Sequence, residues 1–312
     1  MNDENTQALR TVLLPGLAVL RIAGVDAVKF LQGQFTTDVS LLADGRTQLS
    51  ACCTNQGRVI AIVRFRQLNE AIYALVPADM LARLATQLRK FILRAKVEVL
   101  QALDLHAGAM ITGGTGAGVL RHAFDEAAMT MSPVPLAGST EVVTFQYAPG
   151  REVVAAPPAA WRAISGLSLS KPDLQSQTYW LAADIEAGLP LVTAATTEQF
   201  IPQMLNLDLL EAVSFTKGCY TGQEIVARTH HLGRVKRRAM RFVLPPGTSP
   251  APLSNLLLDG AKAADVLLTA ELPDRIEMLA VTNLDAQGRV LLTEDGRTAE
   301  PAPIPYELVA TN

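Results

Sequence analysis

The stretch from Gly45 to Phe65 restricts the fold more than any other. Two apolar-rich runs, Gly45 to Cys53 and Arg58 to Phe65, flank Asn55-Gln56-Gly57, and strand-like runs joined by a short turn ending in glycine predict a β-hairpin. Ala71 to Val76 predicts a third strand, and Leu17 to Ile22 one ahead of the hairpin. Between them, Asp26 stands where it would cap a helix running toward Gln34. Pro77-Ala78-Asp79 opens a second helix, predicted to reach about Leu93 because Met80, Leu81, Leu84, Leu88, Phe91 and Ile92 recur on one face. Hairpins mixed with helices predict an α+β layer rather than a doubly wound sheet.

Further along, Val142 to Tyr147 and Glu152 to Ala155 form a second hairpin pattern across Pro149-Gly150, and Ser176 to Ala187 reads as a helix stopped by Gly188 and Pro190. Gln199 to Ala227 mixes short elements. After Gly233 the pattern changes to strands at Val235 to Leu244, Ala264 to Leu272, Ile276 to Leu284 and Val290 to Thr293. With Pro245-Pro246-Gly247 and Asp285 to Gly288 as turns, these strands predict a small C-terminal β-barrel.

With 312 residues the chain exceeds what one core usually organises, so two or three domains are expected. Its 30 acidic and 27 basic side chains leave a net charge of −3, which argues against a surface devoted throughout to nucleic acid. No apolar run approaches the about 20 residues of a membrane span, and Met1 to Gln7 is polar, so neither a signal peptide nor a membrane anchor is expected. Cys52, Cys53 and Cys219 form neither an even disulfide set nor a CxxC pair, which fits a reducing compartment and predicts a cytoplasmic location.

The densest chemistry lies in Lys217-Gly218-Cys219-Tyr220-Thr221-Gly222-Gln223-Glu224. Lys217 near Cys219, with a helix starting at Gly222, would favour thiolate. A turn around a buried cysteine accounts for the same residues, and the residues alone leave both readings open. The segment is followed by Arg228, Arg234, Lys236, Arg237, Arg238 and Arg241, with no acid between Glu224 and Asp259. Such a run attracts an acidic tail, an RNA backbone or an acidic partner, or it protects an edge strand. Arg89, Lys90, Arg94 and Lys96 complement the end of the second helix, a structural role. Gly113 to Gly118 lacks phosphate-loop spacing and reads as a connection, and His230 and His231 read as surface residues without a third ligand. Adjacent in a strand, Cys52 and Cys53 are expected to face opposite sides, which excludes a shared metal. No metal site is predicted.

The Lys217 to Glu224 segment, KGCYTGQE, is similar to the signature of YgfZ-type proteins, as is its approach from Gln199 to Asp208. Phe30 to Val39 and Ile185 to Pro190 resemble motifs of the wider glycine-cleavage T-protein superfamily. The resemblance implies a multi-domain T-protein-like ring: residues 1–232 as a folate-binding region of two subdomains, one ferredoxin-like, and residues 233–312 as the barrel. It implies tetrahydrofolate or a one-carbon derivative as cofactor, and a role in maintaining iron–sulfur enzymes, including those that thiolate tRNA. Glu186 matches the glutamate that holds the pterin, whose ring N–H and amine a carboxylate can accept together. Asp38, Trp180 and Tyr220 join it as folate-binding candidates, Trp180 also being compatible with a core position. Cys219 is the candidate functional thiol and Lys217 its activating cation, with Arg228, Arg234, Lys236 and Arg238 as a polyglutamate or RNA patch.

Two departures from the T-protein matter. Gly57 to Val63 carries no carboxylate where the T-protein has its catalytic aspartate, which argues against aminomethyl transfer. Asp184 stands where the T-protein tends to carry arginine. A folate-dependent accessory protein is therefore expected, with a one-carbon transferase or demethylase and a non-catalytic scaffold as alternatives.

Overall fold

The computed structural model describes residues 10–111, 142–158, 160–161, 174–231 and 233–308. Met1 to Gln7 and Gly113 to Gly118 lie outside them. The chain runs through β1 (Arg10–Leu13), β2 (Leu17–Ala23) and α1 (Ala27–Gln32) into the expected hairpin, β3 (Thr47–Cys53) and β4 (Val59–Leu68), followed by β5 (Ala71–Pro77). Gly57 makes the hairpin turn at φ 69°, a left-handed conformation that glycine adopts without steric cost. Then come α2 (Leu81–Arg89), β6 (Glu98–Gln101), β7 (His106–Ile111), β8 (Val143–Ala148), β9 (Arg151–Ala156) and α3 (Leu174–Glu186). After an irregular stretch and α4 (Gln223–His231), the chain ends in β10 (Arg237–Leu244), β11 (Asn255–Leu258), β12 (Ala261–Glu271), β13 (Ile276–Asn283), β14 (Leu291–Thr293) and β15 (Thr298–Ala302).

These strands make an antiparallel five-stranded sheet in the order β3-β4-β5-β2-β6, a four-stranded sheet in the order β1-β7-β9-β8, and a closed six-stranded barrel. Alternation along the strands sorts the five-stranded sheet's two faces into different cores. One face presents Leu20, Ile22, Phe65, Ile72 and Ala74 to Phe30 and Leu31 of α1 and to Leu84 and Leu88 of α2. Full burial of a leucine or isoleucine contributes about 1.5–3 kcal/mol. The other face meets the four-stranded sheet through Val19, Tyr73 and Leu75 against Ala109, Phe145 and Val153.

Helix α3 lies between these layers and the barrel, with Trp180 and Ala183 on the sheet side and Ala182 and Ile185 on the barrel side. Gly188 then stops the chain's helical course at φ 65°, and a Cβ there would stand 2.7 Å from the Tyr306 hydroxyl. Cys52 and Cys53 enter different cores, as their adjacency in β3 requires.

Three local expectations are corrected. Asp26 does not cap α1 through its side chain, because Oδ2 instead accepts the Lys96 N–H at 2.8 Å. Helix α2 ends at Arg89 rather than near Leu93, since the chain must turn into β6 beside β2. Arg89 fixes that turn by donating from Nε and Nη2 to the Val99 carbonyl at 3.2 and 2.7 Å. The barrel has six strands where four were expected; β11 is only four residues long and β15 contains Pro301, so each carries little local strand signal.

Candidate functional site

The KGCYTGQE segment is laced onto the loop that follows α1. Lys217 Nζ donates to the carbonyl oxygens of Gln32, Phe35 and Thr37, each at 2.7 Å. Around this anchor the Thr36 hydroxyl donates to the Ala212 carbonyl at 2.6 Å, the Ser214 N–H to the Thr36 carbonyl at 2.8 Å, and the Thr221 N–H to the Gly33 carbonyl at 3.1 Å. Burial pulls the Lys217 pKa down to about 8, and the Asp38 carboxylate works in the opposite direction. The three carbonyl acceptors also favour the ammonium. An ammonium has three N–H groups and all are directed at backbone, so Lys217 first of all anchors the segment and has no N–H left to donate to the Cys219 thiol.

Within the segment, two side chains point inward and the thiol points out. Lys217 and Tyr220 are buried, with the Lys217 ammonium 5.1 Å from the Tyr220 ring centroid. Cys219 is exposed, so the buried-cysteine reading of the turn fails for this residue. Gly222 precedes α4 at φ 85°, and a Cβ there would stand 2.4 Å from the Thr54 carbonyl of the β3–β4 turn. A glycine is thus required where the signature packs on the hairpin.

Beside the anchor lies a cavity of about 720 Å³, bordered by Asp38, Gln48, Arg64, Tyr147, Glu211 and Tyr306 among others. Its walls come from β3, β4, the β8–β9 turn, the chain after α3, the loop before Lys217 and the C-terminal segment. Asp38 Oδ1 accepts from Gln32 Nε2 at 2.9 Å, the Ser40 N–H at 3.1 Å and the Ser40 hydroxyl at 2.5 Å, and no described residue bonds Oδ2. The Ser40 hydroxyl, ahead of Gln32, holds the Asp38 carboxyl below the usual carboxylate range. Gln48 donates from Nε2 to the Asp38 carbonyl at 3.1 Å, while its buried Oε1 has no partner.

Behind the wall sits a buried polar group. Asp184 accepts from Arg151 Nη1 and the Tyr147 hydroxyl, both at 2.8 Å. Burial raises its carboxyl pKa against the lowering by Arg151 and Arg64. Trp180 packs edge-on against Tyr147 at 5.0 Å and does not border the cavity, so its expected stacking on a pterin gives way to a core position. Tyr220 likewise does not border it.

Glu186 closes α3 and turns toward the barrel, where Oε1 lies 3.4 Å from both Arg241 Nη2 and Arg275 Nη2. Burial raises its pKa, with Arg241 opposing. Its neighbour Ala187 borders the cavity, but Glu186 does not. The basic run also divides. Arg237 pairs with Asp265, Arg238 with Asp208, and Arg241 with Glu277. Arg238 is fully buried, so its expected place in a surface patch is corrected. Arg228, Arg234 and Lys236 remain exposed, Arg228 with Glu224 one helical turn away at 3.4 Å.

Sequence reasoning missed Arg64, Tyr147, Gln48 and Glu211 as cavity residues. One signal was present: Arg64 interrupts the apolar run from Val59 to Phe65, whose other residues all pack into cores. Among the described residues there is no group of three or more His, Cys, Asp and Glu that could hold a metal, and no helix long and apolar enough to cross a membrane.

No protein-family model matches the chain. It is 29% identical over 307 residues to the tRNA-modifying protein YgfZ of Shigella sonnei (strain Ss046), covering 96% of this chain and 94% of the relative. In three dimensions it resembles the glycine cleavage system aminomethyltransferase T from Bartonella henselae, with a TM-score of 0.68 at 18% identity over 95% of this chain and 85% of that one.

Proposed function

Starting from a chain similar to YgfZ along nearly its whole length and T-protein-like in fold, we propose that it binds reduced folate in the cavity beside Lys217 and acts as an accessory protein to tRNA-modifying and other iron–sulfur enzymes. The observation that carries this reading is the composition of the cavity wall. A cavity of about 720 Å³ falls within the size range of small-molecule sites. Tetrahydrofolate presents a donor edge, an aromatic middle and carboxylates. Asp38 Oδ2 supplies an acceptor, Tyr147 and Tyr306 aromatic surface, and Arg46 and Arg64 cations. Bound there, the folate would supply a one-carbon carrier.

The test is calorimetric titration with tetrahydrofolate. Asp38→Asn is expected to weaken binding by about 1.5–3 kcal/mol, the usual worth of a hydrogen bond to a charged group. Glu186→Ala is expected to have little effect. The reverse outcome, in which Glu186→Ala weakens binding and Asp38→Asn does not, would move the pterin to the barrel end of α3. No measurable binding to the parent protein would remove the folate reading altogether.

Aminomethyl transfer is disfavoured because Gly57 to Val63 supplies no carboxylate and Ala61 is packed in the core. The accessory role draws instead on Cys219, which is available to a client protein or to iron. Cys219→Ser and Cys219→Ala are expected to shift stability by less than about 0.5 kcal/mol, as exposed substitutions do, and to leave folate affinity unchanged. Support of iron–sulfur enzyme activity in cells should be lost. Full activity in both variants would reduce the segment's role to backbone shape. Arg228, Arg234 and Lys236 complete the proposal as a small exposed cationic surface for an acidic client or RNA.

A further inference from the structure

Arg64 occupies a position that a protein rarely leaves unanswered. It lies in β4, paired with Leu49 on one side and Leu75 on the other, and is only 5% exposed. Its guanidinium stacks 3.5 Å over the Tyr147 ring centroid. Among the described residues no carboxylate or carbonyl accepts a hydrogen bond from it. The carboxylate behind Tyr147 is already committed, because Asp184 receives Arg151 on Oδ1 and Tyr147 on Oδ2. Arg64 receives no carboxylate of its own, although it stands near enough to Asp184 to lower that carboxyl's pKa. None of its nitrogens is both buried and without a partner, so the N–H edge that Tyr147 does not cover is reached from the cavity, where a ligand can meet it.

We propose that Arg64 receives a carboxylate group of the ligand that fills the cavity. This deepens the reading of the cavity as a ligand site and rests on it. Stacking on Tyr147 fixes the guanidinium plane and leaves its N–H edge to accept a planar carboxylate through two parallel hydrogen bonds. The remaining charges favour a carboxylate over a phosphate dianion. Asp38 and Glu211 border the same cavity as Arg46 and Arg64, so two acids already balance two cations and a second negative charge on one group would meet repulsion. In a reduced folate the group is a glutamyl carboxylate.

The experiment titrates three probes into the full chain: tetrahydrofolate, tetrahydrobiopterin, which is a reduced pterin without a carboxylate, and p-aminobenzoylglutamate, which carries the carboxylates without the pterin. Arg64→Met is expected to weaken tetrahydrofolate and p-aminobenzoylglutamate by about 10- to 100-fold and to leave tetrahydrobiopterin unchanged. Its unfolding temperature should change little, because no described residue loses a hydrogen-bond partner and only the contact with the Tyr147 ring is given up. Arg64→Lys, which keeps the charge but lacks the fork, is expected to lie between the two. Unchanged affinity for both carboxylate probes in Arg64→Met would overturn the proposal, as would an equal loss for all three. If the parent binds p-aminobenzoylglutamate through Arg64 but neither pterin, the carboxylate site stands and the folate reading falls. If it binds tetrahydrofolate and tetrahydrobiopterin equally, the pterin reading stands and Arg64 has no part in it. Failure of the parent to bind any probe overturns both.

Discussion

Replacing Lys217 by methionine is expected to destabilise the protein by about 3 kcal/mol or more, measured by denaturant unfolding. Methionine fills nearly the same volume, so the packing loss is small. What disappears is the partner of three carbonyl oxygens, those of Gln32, Phe35 and Thr37, and leaving a buried acceptor unsatisfied costs about 1–3 kcal/mol each. Arginine should not rescue the position, because its wide planar fork cannot converge on three acceptors around one nitrogen. Hydrogen exchange should also rise in the loop from Gly33 to Thr37, which loses its tie to the signature. A variant that unfolds like the parent yet loses cellular activity would return Lys217 to a chemical role and contradict its description as an anchor.

Arg238→Met should cost about 3–5 kcal/mol, the usual loss on breaking a buried ion pair from one side. Arg238 Nη1 and Nη2 meet Asp208 Oδ1 and Oδ2 at 2.8 and 2.9 Å, and Nη1 also donates to the Gln203 carbonyl at 2.9 Å. Arg238 is fully buried and the Asp208 side chain is 6% exposed. The single variant therefore strands a carboxylate where water hardly reaches it. The pair also ties β10 of the barrel to the irregular stretch that carries Gln203 and Asp208. Combining Arg238→Met with Asp208→Leu should recover a large part of the loss, since two apolar groups need no partner. Thermal unfolding of both singles and the double separates the cases: costs that add, with no recovery, would mean the pair is not the source of the effect.

Both results turn on partners distant in sequence. Lys217 is bonded to residues about 180 positions upstream, and nothing local distinguishes a lysine that will be enclosed by carbonyls from one that activates a neighbouring thiol. Arg238 stands in a run of cations that strand alternation splits between two faces, and the fold turns it inward onto Asp208 while Arg237 and Arg241 find Asp265 and Glu277 on the other face. Local charge density carried no information about which of those cations would remain free.

The cavity shows the same division. Asp38 was legible because it sits in the Phe30 to Val39 motif, and it borders the cavity. Glu186 was legible for the same reason, but its carboxylate turned to the barrel's arginines. Arg64 and Tyr147 carried no motif and were brought together by the packing of β4 against β8, two strands far apart in sequence.

The sequence by itself determined the elements whose signals are local: the hairpin around Gly57, the end of α3 at Gly188, the opposed faces of Cys52 and Cys53, and the antiparallel α+β character with a barrel at the C-terminal end. These follow from glycine's access to positive φ and from the twofold alternation of a strand. Only the tertiary structure decided which charges are neutralised, that the Cys219 thiol is exposed while the Lys217 ammonium is enclosed, and which side chains border the cavity. Desolvation and pairing depend on groups brought together by the whole fold, and the same lysine or arginine is an anchor, a ligand receptor or a solvated charge according to what that fold places within about 3 Å of it.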